Sequence, residues 1–242
     1  MDRAVVLRSA VALTGRFPAL AGIDLAVDAG EVVVVQGANG AGKTSLLRVC
    51  AGLLPVTAGE ALVLGYDLRR HPQGVRRLVG MLGHGAGLYD DLRVDENVRF
   101  AVRAGGGDPG NVDAALDRLG LAGRLRRTAA GRLSAGQRRR VVLAALVARR
   151  PPLWLLDEPH AALDADARAV LGAVIGEAVA GGAAVVLASH EPDASWPLAD
   201  RVLTMAGGRV VDEARPQGVA EASETAGAAA TVPFIGGGAH VA

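Results

Sequence analysis

The sequence predicts an α/β fold: a buried, largely parallel sheet, a helical insertion, and a non-periodic end. Three observations carry this prediction. Apolar runs alternate with Gly-rich turns over the first 80 residues, the pattern becomes helical between residues 95 and 150, and strand-like runs then resume to residue 211. Such an order describes a helical piece set into an α/β core.

The candidate strands of the first part are residues 4–7, 23–27, 32–36 and 61–63. Glu31-Val32-Val33-Val34-Val35-Gln36 is the clearest, because a continuous apolar run suits a strand buried on both faces. Ser45 to Ala51 reads as a helix closed by Gly52. In the helical part, Val112, Ala115, Leu116 and Leu119 recur at i, i+3, i+4 and i+7, with Gly120 ending the helix. Residues 105–110 (Gly-Gly-Gly-Asp-Pro-Gly) form a loop between two helices. Ser134 caps a further helix that runs to about Arg150, where Pro151-Pro152 forbids continuation. Strands follow at residues 153–156, 183–188, 201–205 and 209–211. Residues 1–215 therefore read as a single domain, its core at about 1–82 and 151–215 and its helical subdomain at about 83–150. The Ala/Gly/Ser-rich residues 216–242 read as a flexible tail.

Composition narrows the function. The chain has 242 residues, 50% of them apolar, enough to bury a full core. A net charge of +1 with 3% aromatic residues argues against a nucleic-acid surface. The single Cys50 cannot form an intramolecular disulfide and falls in a helix, where a buried apolar role is expected. The start Met1-Asp2-Arg3 shows no signal-type stretch, and runs such as residues 141–148 are far shorter than the roughly 20 residues of a membrane span. A cytoplasmic polypeptide that reaches a membrane only through a partner is the expectation.

Lys43 is the only lysine among 26 Lys+Arg, and it lies in Gly37-Ala38-Asn39-Gly40-Ala41-Gly42-Lys43-Thr44-Ser45. An ammonium is a compact point charge, whereas a guanidinium is a wide fork, so a tight Gly-rich loop admits the first and not the second. The spacing G-x-x-x-x-G-K-[ST] between a strand and a helix is a phosphate loop. Its backbone N–H groups cradle phosphates, Lys43 reaches the β- and γ-phosphates, and the Thr44 hydroxyl goes to Mg²⁺. A second constellation, Leu153-Trp154-Leu155-Leu156-Asp157-Glu158-Pro159, is an apolar strand ending in two acids. There Asp157 would hold Mg²⁺ through its waters and Glu158 would polarise a water in line with the γ-phosphate. Third, in Leu133-Ser134-Ala135-Gly136-Gln137, the Ser134 hydroxyl, the Gly136 N–H and the helix dipole form another anion site. Arg138–Arg140 read as a solvated helix start, and His71, His160 and His240 have no metal-ligand spacing.

With these motifs in this order, followed by His190 after an apolar run, residues 4–212 strongly resemble the ATP-binding subunits of ABC transporters. The resemblance implies a P-loop NTPase (RecA-like) core with an inserted α-helical subdomain, an ATPase bound to ATP and Mg²⁺, and an integral membrane permease as partner. It also implies a head-to-tail dimer with a second copy or a homologous subunit, in which Ser134, Gly136 and Gln137 contact the γ-phosphate held by the partner's Lys43. His190 matches the switch histidine that holds the γ-phosphate and positions the water with Glu158. Ala161-Ala162-Leu163-Asp164 matches the loop crossing between sites, where Asp164 equally suits a helix N-cap. At two positions the sequence departs from the family. His84 stands where the lid loop normally offers a glutamine to Mg²⁺ or the water. Thr14 stands where an aromatic normally stacks on adenine, leaving Phe17, three residues on, either as the stacker or as a core residue. Within the family, the Gly-His at the lid loop, Leu-Ser-Ala-Gly-Gln followed by Arg-Arg-Val, and the compact length resemble the ATPases of haem exporters in cytochrome c maturation. A multidrug or lipid exporter ATPase is the alternative. Action on nucleic acid or ribosomes is disfavoured, because residues 95–150 lack heptads and the chain holds one cassette.

Overall fold

The computed structural model describes residues 3–83, 85, 87–190 and 196–216. His84, residues 217–242 of the expected tail and His240 within it lie outside the described residues. The chain runs β1 (Arg3–Thr14), β2 (Phe17–Asp28), β3 (Val32–Gln36), α1 (Lys43–Cys50), β4 (Val56–Val63), β5 (Tyr66–Asp67) and β6 (Val79–Leu82). It continues through α2 (Val94–Ala104), α3 (Val112–Arg118) and α4 (Ala135–Arg149). Then follow β7 (Leu153–Asp157), α5 (Ala165–Ala180), β8 (Ala184–Ala188), β9 (Arg201–Ala206) and β10 (Arg209–Ala214).

Two sheets result. One is antiparallel with order β2-β1-β4-β5; the other has order β10-β9-β3-β8-β7-β6 and is parallel except for β10. The valine run of β3 explains the layering, since successive side chains point to opposite faces. Val33 and Val35 join a core shared with α1 and the antiparallel sheet, while Val32 and Val34 join a core built with α2 to α5. In β7, Leu153 and Leu155 go one way and Trp154 and Leu156 the other. Helix α1 is thereby enclosed between the sheets, and burial pushes the Cys50 thiol up to about 12. The helices α2, α3 and α4 pack on one another between β6 and β7 in the chain. Among the described residues no helix is long and apolar enough to cross a membrane.

Several expectations are corrected. The short strands at 4–7 and 23–27 are parts of a twelve-residue hairpin pair. Their alternation is broken by a register shift between Leu7 and Ala10, where Ser9 adopts φ +44°. A period-of-two reading stops at such a bulge although the strand continues. The parallel edge strand β6 went unread, because Val-Gly-Met-Leu is short and carries a glycine. The loop at 105–110 does join two helical segments, and the α3 helix closes at Gly120 with φ +66°.

Candidate functional site

The parallel register places the carboxyl ends of β3, β7 and β8 side by side, with Val35 opposite Ala188 and Asp157 opposite Ala188 on the other edge. That end of an open α/β sheet is where ligands bind. The loop leaving β3 is pinned by backbone bonds: the Ala41 N–H donates to Ala38 O (3.0 Å) and the Gly208 N–H donates to Ala41 O (3.0 Å). Gly42, at φ +104°, directly precedes α1, and a Cβ there would lie 2.6 Å from Ala19 O, so only glycine fits. No side chain caps α1, and its first N–H groups are open to an anion at the positive end of the helix. Lys43 is 8% exposed, and its ammonium donates to Gly37 O (2.6 Å) and Ala38 O (3.3 Å).

Across from the loop, Asp157 ends β7 and is 2% exposed. Its Oδ2 accepts a hydrogen bond from Thr44 Oγ1 at 2.9 Å. A carboxylate and a hydroxyl brought together are hard oxygen donors, the set that suits Mg²⁺ when phosphates and waters complete the shell. The two residues therefore fit the metal that the phosphate loop implies. Glu158 follows in the left-handed region at φ +48°, its N–H donating to Ala188 O (2.9 Å). Its Oε2 lies 2.8 Å from His190 Nδ1 and accepts from the His190 N–H at 3.4 Å. A cavity of about 350 Å³ opens between these groups, lined by residues 39–45, Thr14, Ala19, Asp157 and Glu158. A larger cavity, about 540 Å³, lies at the opposite ends of β7 and β8 beside Pro152 and Ala183 and contains none of them.

The other expected residues divide. Gly37 and Ala38 meet the site through the carbonyls that hold Lys43. Thr14 lines the cavity, and Phe17, its partner across the hairpin end, is 78% exposed; the reading of Phe17 as a core residue is thus corrected. Ser134 accepts from the Gln137 N–H (3.2 Å) while Gln137 Oε1 accepts from the Ser134 N–H (3.0 Å), a reciprocal cap on α4. An accepting hydroxyl keeps its own proton to donate. Ser134, Gly136 and Gln137 do not line the cavity of their own chain. Asp164 caps α5 by accepting from the Ala167 N–H at 2.8 Å.

The reading of Arg138–Arg140 as a solvated start is corrected at two positions. Arg138 Nη1 donates to Asp90 Oδ1 (2.7 Å) and Ala130 O (2.9 Å). Arg139 Nη1 donates to Glu158 O and Ala161 O, both at 2.7 Å. Burial lowers the pKa of the Arg139 guanidinium, and the carboxylates of Asp157 and Glu158 oppose that effect. Sequence reading missed Arg139 because its acceptors are backbone carbonyls, which no residue type marks.

The family model described as ABC transporter matches residues 20–161. The chain is 43% identical to the "Cytochrome c biogenesis ATP-binding export protein CcmA" of Paraburkholderia xenovorans (strain LB400), covering 70% of this chain and 82% of the relative. It is 41% identical to the protein of the same name from Bordetella bronchiseptica, covering 81% and 88%. In fold it is similar to a dimeric ATP-binding cassette in a post-hydrolysis state bound to ADP and Pi. The TM-score is 0.81 at 24% identity, over 89% of this chain and all of that one.

Proposed function

The chain belongs to the ABC transporter family as an ATP-binding, ATP-hydrolysing subunit, and on that premise we propose that it drives the export step of cytochrome c biogenesis, with haem as cargo moved through a separate membrane subunit. The observation that carries the catalytic reading is the pairing of Glu158 Oε2 with His190 Nδ1 at 2.8 Å, beside the Thr44–Asp157 bond. The cargo assignment rests on relatives of 41–43% identity, each a cytochrome c biogenesis export protein by name.

In this reading the phosphate chain of ATP enters the cavity over α1 and takes Lys43 from the carbonyls of Gly37 and Ala38. Residues 37–45 supply backbone donors, which act on anionic oxygens without needing to reorganise. Thr44 and Asp157 would hold Mg²⁺, which would supply neutralisation of the phosphate charge. Glu158 orients the attacking water and draws on its proton, while His190 fixes the Glu158 carboxylate and contacts the γ-phosphate. Phe17, exposed at the hairpin end next to Thr14, offers its ring face to adenine. Hydrolysis then needs a second copy or a homologous subunit. The support is that Ser134, Gly136 and Gln137 head helix α4 away from their own chain's cavity. A head-to-tail pair brings that helix start to the other chain's γ-phosphate. The subunit would sit on the cytoplasmic face of the membrane, held by its permease, and His84 would take the lid-loop position that senses it.

The test is Glu158→Gln. It should keep ATP binding, trap a nucleotide-bound dimer and lower turnover by about 10²–10⁴-fold, the usual contribution of a positioned base. Turnover within a few-fold of the wild type, measured with the membrane partner present, refutes the assignment.

A further inference from the structure

Glu158 is one of the few non-glycine residues with positive φ, at +48°, and Ala162, four residues on, is another at +60°. A left-handed backbone at an L-residue persists only where its surroundings over-determine it. Three bonds do so here. The Glu158 N–H donates to Ala188 O on β8 (2.9 Å), and the Glu158 carbonyl accepts from the Ala161 N–H (3.2 Å) and from Arg139 Nη1 (2.7 Å). The same Nη1 donates to Ala161 O at 2.7 Å, so one guanidinium nitrogen grips both ends of the turn. One helical turn before Arg139, Gly136 meets the carbonyl of Ala162 so closely that a Cβ would collide with it. Residues 136 and 139 share a helix face at i, i+3. The turn after β7 is therefore seated on the first turns of α4 at two points, one bare backbone and one cationic.

We propose that Arg139 is a positioning residue for hydrolysis: from α4 it sets the backbone of Glu158, and so the aim of its carboxylate, linking the helix start that meets the second copy's nucleotide to the general base of its own site. This rests on the role given to Glu158 above. Arg139 acts through Glu158, since among the described residues its guanidinium donates to the carbonyls of Glu158 and Ala161. Because Ser134 and Gly136 head the same helix, a shift of α4 on meeting the other chain's phosphate moves Arg139 with it. Dimer closure then reaches Glu158 through one side chain.

The experiment is a double-mutant cycle in the full-length chain, with ATP affinity and single-turnover hydrolysis measured for R139A, E158Q and R139A/E158Q. R139A should hold its ATP Kd within about three-fold of wild type and lower hydrolysis roughly 10- to 100-fold, as a misaimed catalytic group does. R139K, whose ammonium can still donate to both carbonyls, should retain more activity than R139A. In the E158Q background the R139A change should cost less than about two-fold, because residues acting as a unit are non-additive. A full additive loss in that background, or wild-type hydrolysis by R139A, overturns the inference while leaving Glu158 in place. Wild-type hydrolysis by E158Q overturns the assignment of Glu158 and the inference with it. If R139A does not fold, R139Q completes the same cycle, and additivity there overturns the proposal.

Discussion

Replacing Lys43 by arginine keeps the charge and changes only its shape, which makes it the sharpest probe of the phosphate loop. The ammonium sits 2.6 Å from Gly37 O and 3.3 Å from Ala38 O in a side chain only 8% exposed. A guanidinium places a planar group of three nitrogens where one nitrogen now stands. Below it the loop is fixed by Ala41 and Gly42 against Gly208 and Ala19, so that side cannot yield. The extra atoms must enter the 350 Å³ cavity, where the proposed reading would put the β- and γ-phosphates. The fork then displaces a phosphate or loses its alignment with it. Losing one charge-assisted hydrogen bond costs about 1.5–3 kcal/mol. At 1.4 kcal/mol per decade that is roughly a 10- to 150-fold loss, expressed in ATP affinity, in turnover, or divided between them. Titration calorimetry gives Kd and a phosphate-release assay gives turnover, with circular dichroism confirming the fold. K43R should fall within a few-fold of K43A, both well below wild type. Turnover by K43R within three-fold of wild type would show that the loop tolerates the fork and would refute the shape reasoning.

Three further outcomes follow from the arrangement. Mixing K43A chains with S134R chains should restore part of the ATPase activity that each lacks alone, because one site of the mixed dimer carries both lesions and the other neither; full-rate hydrolysis by isolated monomers would contradict the shared site. Cys50, with its thiol raised to about 12 by burial, should resist alkylation near pH 8 in the native chain and react once the chain is unfolded, as read by mass spectrometry. The sign for stability is set by the same shift. The unfolded thiol, at roughly 8.5, releases its proton first, so the contribution of Cys50 is intact below that pH and is lost as pH rises toward the native value. Denaturant midpoints of wild type and C50A should converge or cross between about pH 8.5 and 11.

What the sequence made legible is what local chemistry determines. The valine run at β3 could be read because burial on both faces removes alternation altogether. Ser134 and Asp164 could be read as caps because a cap acts within three residues of itself. Thr44 and Asp157 stand 113 residues apart, yet each belongs to a short pattern tied to phosphate and metal, and the parallel register brings them to 2.9 Å. The extent of the hairpin was hidden by the bulge at Ser9, and β6 by its glycine. Arg139 was hidden for a different reason. Its partners are carbonyls 19 and 22 residues away, chosen by how the turn after β7 folds and not by side-chain identity. The same turn explains why the motifs are separate in the sequence but coupled in the fold. A phosphate sensed at Ser134 and a water activated at Glu158 belong to different nucleotides in the shared-site reading, and within one chain the connection runs from α4 through Arg139 to the end of β7. If the proposed shared site holds, the helix that would complete the neighbour's site is also the one whose Arg139 grips the backbone of Glu158, so the two nucleotide sites would be linked through one side chain.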